Sequence, residues 1–309
     1  MIERPKVSVV ITIYNGASYL EASVRSVLSQ TLKEIEIILV DDGSSDDSVS
    51  KLKKLAEEDE RILLYEQGHK GRPSARNAGL DHASGEFVYF MNCSDELDGD
   101  ALEYAYKFTK KRQLDFVFFD GDVVGGEEAN GIQINKYHRS APYNEIIVYK
   151  GLILFDDMLD NGTYRPVPWL LFIRRVILQE AGIRFYPGIV HDDELFTALL
   201  FIQSDRVGCI RRSLVRHRIV KEFLVPSSQM LYHIRCYLTV LDELFAYAGR
   251  FPYLYPHIRK YASITLNWVF KSIHQISFSK KIRATRLCLK AGYLRYIEGS
   301  TLIGFWFRK

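Results

Sequence analysis

The feature that most constrains this chain is a series of short, nearly unbroken apolar runs. Each ends on a polar cluster and is followed by residues at helical spacing. Residues 6–13 (KVSVVITI) carry β-branched side chains almost continuously, the pattern of a strand buried on both faces. Tyr14-Asn15-Gly16 breaks the run, and within 18–30 the apolar Leu20, Val24, Val27 and Leu28 fall on one helical face. Residues 35–40 repeat the strand pattern and run into Asp41-Asp42-Gly43-Ser44-Ser45-Asp46, a turn rich in helix N-caps before a helix predicted over 48–58. A third strand is expected over 61–65, then a helix over 73–83 opening at Pro73 or Ser74. A fourth strand over 86–91 ends on Asn92-Cys93-Ser94-Asp95, followed by a helix over 99–111 and a strand over 116–119. Strand and helix alternating through short connections specify βαβ units and a mostly parallel sheet. Ligands on such sheets bind beyond the carboxyl ends of the strands. The polar clusters at 12–16, 41–46 and 92–95 all fall at those ends, so they are expected on one rim.

The remainder reads more coarsely. Residues 125–131 form a polar loop, and 164–180 combine a proline-rich approach with an apolar helix. His191-Asp192-Asp193-Glu194 precedes a helical run over 195–202. From about 227 the chain reads as all-helical and rich in Tyr, Phe, Arg and Lys, with Pro252 and Pro256 as a break. Charge divides the chain sharply: residues 206–309 hold 19 Lys and Arg against 4 Asp and Glu, and residues 1–205 hold 22 against 34. An acidic half suits a metal or a cationic transition state, and a basic half suits an anionic partner. The expected division is a domain over 1–222, in two halves that meet at about 120, followed by a basic, aromatic helical region over 223–309. The four cysteines, Cys93, Cys209, Cys236 and Cys288, form no C-x-x-C pair, which argues against a disulfide framework or a thiolate zinc site. The N-terminal residues lack the basic-then-apolar pattern of a signal peptide, and no segment approaches the roughly 18 apolar residues of a membrane span.

Each polar cluster admits a plain structural reading beside a functional one. Asp41 and Asp42 can cap the turn that follows them, or accept hydrogen bonds from a base or ribose. The 71–79 segment (GRPSARNAG) can be an ordinary surface helix, or a helix N-terminus offering N–H groups to phosphate with Arg76 as a fixed cation. At 92–95 only Asp95 is a carboxylate, with Asn92 and Ser94 as weaker oxygen donors for a hard cation. The acidic run at 192–194 can stabilise a helix N-terminus, or supply a general base. Basic helices with Trp and Phe can pack on their own aromatics, or dock on anionic lipid. No recognised nucleic-acid module accompanies the basic charge.

Taken in order, VSVVITIYNGASYLEASVRSVLSQT, IEIILVDDGSSDDS and GRPSARNAGLDHASGEFVYF resemble a bacterial, non-processive family 2 glycosyltransferase of the GT-A fold over about residues 5–103. GIVHDDELFTALL is a weaker continuation. The resemblance implies an α/β, Rossmann-like nucleotide-sugar-binding sheet, with a nucleotide half to about 120 and an acceptor half over 121–222, and a helical C-terminal extension. It implies that Thr12 and Tyr14 line the nucleotide pocket, that Asp41 or Asp42 reads the base, and that Arg76 contacts base or phosphate. Asn92 belongs to the same donor site. Asp193 is the implied catalytic base, with Asp192 in support. A metal, Mn2+ or Mg2+, would normally sit at the leaving diphosphate. The family commonly reads D-S-D-D where this chain has Asn92-Cys93-Ser94-Asp95. Three explanations stand: Asp95 anchors a weaker metal site with His191, a basic group replaces the metal, or activity is lost.

The expected function is inverting transfer of a sugar from a nucleoside-diphosphate donor, UDP-hexose in type, to a glycan or lipid-linked acceptor in surface polysaccharide synthesis. The expected place is the cytoplasm or, peripherally, the inner face of the cell membrane on anionic lipid, with no nucleic-acid partner and a homo-oligomer allowed. The competing reading is a catalytically impaired subunit that scaffolds a glycan-assembly complex. A nucleotidyltransferase lacks its expected Gly-rich, Arg/Lys-dense opening loop.

Overall fold

The computed structural model describes residues 4–124, 137–220 and 229–307. The polar loop expected over 125–131, the boundary expected at 222/223 and the final Arg308 and Lys309 lie outside the described residues.

The first half follows the βα alternation closely: β1 (Val7–Ile13), α1 (Leu20–Leu28), β2 (Ile35–Asp41), α2 (Ser48–Glu58), β3 (Ile62–Glu66), α3 (Arg72–His82), β4 (Phe87–Asn92), a two-residue β5 (Glu96–Leu97), α4 (Ala101–Lys111) and β6 (Phe116–Val124). Then come α5 (Gly151–Asp160), β7 (Leu171–Arg174), α6 (Arg175–Glu180), α7 (Asp192–Gln203) and β8 (Val207–Arg218). The chain closes with α8 (Met230–Arg250), α9 (Tyr255–Ser272), α10 (Phe278–Lys290) and α11 (Gly299–Phe307).

Among the described residues the sheet has eight strands in the order β3-β2-β1-β4-β7-β6-β8-β5. Strands β1 to β4 pair in parallel, β7 runs antiparallel between β4 and β6, and β8 pairs parallel to β6 and antiparallel to β5. Both faces are covered, which explains the continuous apolar runs. On β1, Val10 faces one core while Val9 and Ile11 face the other; on β4, Phe90 and Tyr89 divide the same way. One core gathers α1, α2 and α4. The other gathers α3, α5 and α7, and residues of α8 to α11 (Ile234, Leu241, Leu266, Phe305) join it without a break.

Two segments differ from the sequence reading. Within 164–180, expected to end in one apolar helix, a 3-10 turn at Pro168–Leu170 leads into strand β7 before the short α6. Strand β8 was not expected at all. Its RRSLVRHR segment does not alternate: the adjacent Leu214 and Val215 are buried between exposed and half-buried, mostly basic residues, and the pairing with β6 is bulged, so no period-2 signal exists to read.

Candidate functional site

The carboxyl ends of β1, β2 and β4, the starts of α3 and α7, the end of β8 and the start of α8 enclose a cleft of about 790 Å³. Thr12, Tyr14, Asp42, Arg76, Asn92, His191, Asp192 and Asp193 all line it; Asp41 and Asp95 do not.

The β1 and β2 ends are tied together by side chains. Asn15, with φ 51°, accepts from the Ser45 N–H at 2.8 Å, and the Gly16 N–H donates to Ser48 Oγ at 3.0 Å. The two adjacent aspartates separate here. Asp41 turns back on its own loop and accepts from the N–H groups of Gly43 and Ser44, both at 3.0 Å, the capping role. Gly43 has φ +75°, and a Cβ there would lie 2.8 Å from the His69 nitrogen, so the turn needs glycine. Asp42 points outward to the 67–71 loop. It accepts from Gln67 Nε2 at 2.6 Å, Lys70 N at 2.8 Å and Gly71 N at 2.9 Å. His69 stacks on Tyr14 with ring centroids 4.2 Å apart, leaving Tyr14 41% exposed at the rim.

Helix α3 lies close against the sheet: a Cβ on Gly79 would come within 2.3 Å of Val10 Cγ1. One turn earlier, Arg76 is buried over the Phe185 ring and donates to both Asp192 (3.1 Å) and Asp193. Arg72, half exposed, stands 3.6 Å from Asp193 and 3.8 Å from Asp192. These carboxylates open α7, where the helix dipole favours negative charge. Asp192 is fully enclosed and Asp193 keeps 19% side-chain exposure. Burial, with the neighbouring Asp193 charge, pushes the Asp192 carboxyl up. Burial likewise pushes Glu194 up to about 7, against the opposing hydrogen bond from Tyr261 Oη at 2.7 Å. His191 is pushed down to about 3 by burial and then by His233, so it is neutral near pH 7. It bonds His233 Nδ1 at 2.9 Å and stacks on Tyr237 at 3.8 Å.

The β4 end is built differently. Because β5 and β8 pair antiparallel with Glu96 opposite Arg216, Asp95 falls beside His217. Asp95 is fully buried: Oδ2 accepts from Asn92 Nδ2 at 2.7 Å, and Oδ1 accepts from His217 Nδ1 at 2.8 Å and the Arg218 N–H at 3.1 Å. His217 lies flat on Trp169 at 4.4 Å. Cys93, pushed up to about 12 chiefly by burial, stays a thiol. Asp95 and His191 are engaged by different partners, and among the described residues no group of three or more His, Cys, Asp or Glu side chains is placed to hold a metal ion. The oxygen set at 92–95 does not fit a hard divalent cation, which needs several carboxylate or carbonyl oxygens with free lone pairs.

Sequence reasoning missed His217, Arg218, Tyr232 and His233, which line the same cleft from β8, the residues beyond it and α8. Their only signal was membership of a basic, aromatic region.

A covered mixed sheet with the cleft at the carboxyl edge of its parallel strands has the architecture of GT-A glycosyltransferase structures. The family model of glycosyl transferase family 2 matches residues 8–178, and the chain belongs to that family. It is 29% identical over 226 residues to glycosyltransferase GlyA of Streptococcus pneumoniae, covering 72% of this chain and 32% of GlyA. It is 43% identical over 100 residues to a GalNAc(5)-diNAcBac-PP-undecaprenol beta-1,3-glucosyltransferase of Campylobacter jejuni, covering 32% of each. The chain thus spans about a third of the length of these two relatives. In structure it is similar to S. aureus TarS 1-349 in complex with UDP-GlcNAc, with a TM-score of 0.72 at 17% identity over 97% of this chain and 89% of that one. The mannosyltransferase PcManGT of Pyrobaculum calidifontis, in complex with GDP-Man and Mn2+, has a TM-score of 0.60 at 18% identity over 98% and 85%.

Proposed function

We propose that this protein transfers a sugar, with inversion, from a nucleoside-diphosphate donor of the UDP-hexose type to a hydroxyl of a glycan or lipid-linked acceptor. The observation that carries this reading is the convergence of Tyr14, Asp42, Arg76 and Asp193, from four separate elements, on one cleft. The base lies against Tyr14 and the 67–71 loop that Asp42 orders. Asp193 takes the proton from the acceptor hydroxyl, the acceptor oxygen attacks the anomeric carbon, and the carbon–oxygen bond to the diphosphate breaks with its electron pair leaving on phosphate oxygen. Of the α7 pair, Asp193 is the one with an open side, which leaves room for an acceptor hydroxyl to reach it. The relatives' names support the donor and acceptor classes: TarS is seen with UDP-GlcNAc, and the Campylobacter enzyme is named for an undecaprenol-linked acceptor.

Contact with an anionic lipid surface fits the C-terminal helices. They expose Trp268, Phe278, Ile303 and Phe307 in the basic part of the chain. Among the described residues no helix is long and apolar enough to cross a membrane. A screen of nucleotide sugars, reading released nucleoside diphosphate with and without candidate acceptors, tests the central reading. Turnover of at least one donor is expected; no turnover and no nucleotide binding would leave the scaffold reading in its place.

A further inference from the structure

We propose that the cleft holds the donor's diphosphate without a divalent cation, and that the end of β8, anchored by Asp95, presents the positive charge in its place. This rests on the donor reading above.

Carboxylates line the cleft at three positions, and each already accepts from a donor of the chain on at least one oxygen, while among the described residues Asp192 Oδ1 is left with Arg72 at 3.8 Å and no hydrogen bond. Asp42 accepts from Gln67, Lys70 and Gly71. Asp192 and Asp193 are held by Arg76, with Arg72 close by. The fourth candidate, Asp95, is sealed behind the wall with three donors on its two oxygens. Exposing it to a cation would break at least one of those bonds and leave a buried donor unpaired, at a cost of about 1–3 kcal/mol. Asn92 directs its amide nitrogen to Asp95, so one neutral oxygen is what remains on that side chain.

The cationic side of the balance is fuller. Arg72 and Arg218 line the cleft, together with Lys70. The Arg218 guanidinium donates to Glu96 at 3.2 Å and lies over the Tyr19 ring. Glu96 and Tyr19 lie outside the cleft lining, so the side chain would turn from them to meet phosphate oxygens, which Arg binds in bidentate geometry. Asp95 is a positioning residue in this arrangement. One of its oxygens fixes the Arg218 backbone and the His217 ring together, across 122 residues of sequence, so the β8 end is held at the cleft rim.

The test is calorimetric titration of UDP and of GDP into the full chain, once in EDTA and once in millimolar Mn2+. The better-bound nucleotide is expected to show affinities within about twofold in the two buffers. Arg218→Ala, whose fold is checked by its thermal transition, should weaken that nucleotide about tenfold and the parent nucleoside less than about twofold. Asp95→Asn keeps an oxygen acceptor for the Arg218 N–H and should retain binding to within about threefold. Affinity that rises tenfold or more with Mn2+, or an Arg218→Ala protein that binds the diphosphate unchanged, overturns the proposal while leaving the donor reading standing. Absence of binding in both buffers overturns the donor reading itself, and this proposal with it.

Discussion

The polar cluster at the end of β4 and the acidic run at the start of α7 both offer carboxylates for chemistry, yet they have opposite fates in the fold. At β4 the carboxylate is enclosed and satisfied by an amide, an imidazole and a backbone N–H. At α7 one carboxylate is enclosed and the next keeps an open side, with a buried Arg bridging them. A cluster of acidic residues therefore does not define a metal or catalytic site. What matters is whether a lone pair remains that faces the ligand. By that measure the corner proposed for the chemistry is α7, and Asp95 is enclosed in the opposite wall.

The substitution expected to separate the corners most is Asp193→Asn. Transfer should fall about a thousandfold, the scale of a lost general base, while nucleoside-diphosphate affinity changes less than about twofold. Retained turnover would move the base elsewhere. Next comes Arg76→Leu, which leaves two adjacent carboxylates without their buried partner. Urea unfolding at neutral pH should show a loss of about 3–5 kcal/mol, the cost of breaking a buried pair. Arg72→Ala, at a longer distance and half exposed, should cost less than about 1 kcal/mol. If the two losses were equal, the bridging role would not belong to Arg76. Gly79→Ala tests how closely α3 carries Arg76 against the sheet. Overpacking on Val10 should cost about 1–3 kcal/mol, and an unchanged transition would show that the helix can shift away.

A separate effect concerns pH. The Glu194 carboxyl is raised in the folded state, so the native protein binds that proton more tightly than the unfolded chain. Stability from this group is present at low pH and is lost as pH rises from about 4.5 to about 7. Glu194→Gln keeps an acceptor for Tyr261 and removes the titration. The variant should therefore gain on the wild type across that window, by about 3 kcal/mol at the alkaline end. Asp192 titrates in both proteins and cancels in the difference. A difference independent of pH would contradict the assignment.

Much of this was readable in the chain itself. Doubly buried strands such as 7–13 and 35–41 announce themselves by unbroken apolar runs, and the three polar clusters follow from where those runs stop. The difference between Asp41 and Asp42 was not readable, because it depends on the 67–71 loop folding back to one of them. Nor was the closure of Asp95, whose partners His217 and Arg218 lie 122 and 123 residues away on a bulged, arginine-rich strand with no regular alternation. Strand β7 escaped notice for a related reason: four residues between a proline turn and a helix carry too little periodicity to stand apart from the helix. Tyr232 and His233 reach the cleft because α8 packs into the core shared with α5 and α7, a tertiary fact with no local motif.

The most direct test of the account is a crystal structure of the protein grown with UDP in EDTA. The account predicts uracil against Tyr14 and the 67–71 loop, the diphosphate within hydrogen-bond distance of Arg218 or Arg72, and an open path from the leaving oxygen toward Asp193. Nucleotide density outside this cleft, or a diphosphate turned away from both arginines and from the α7 corner, would contradict it.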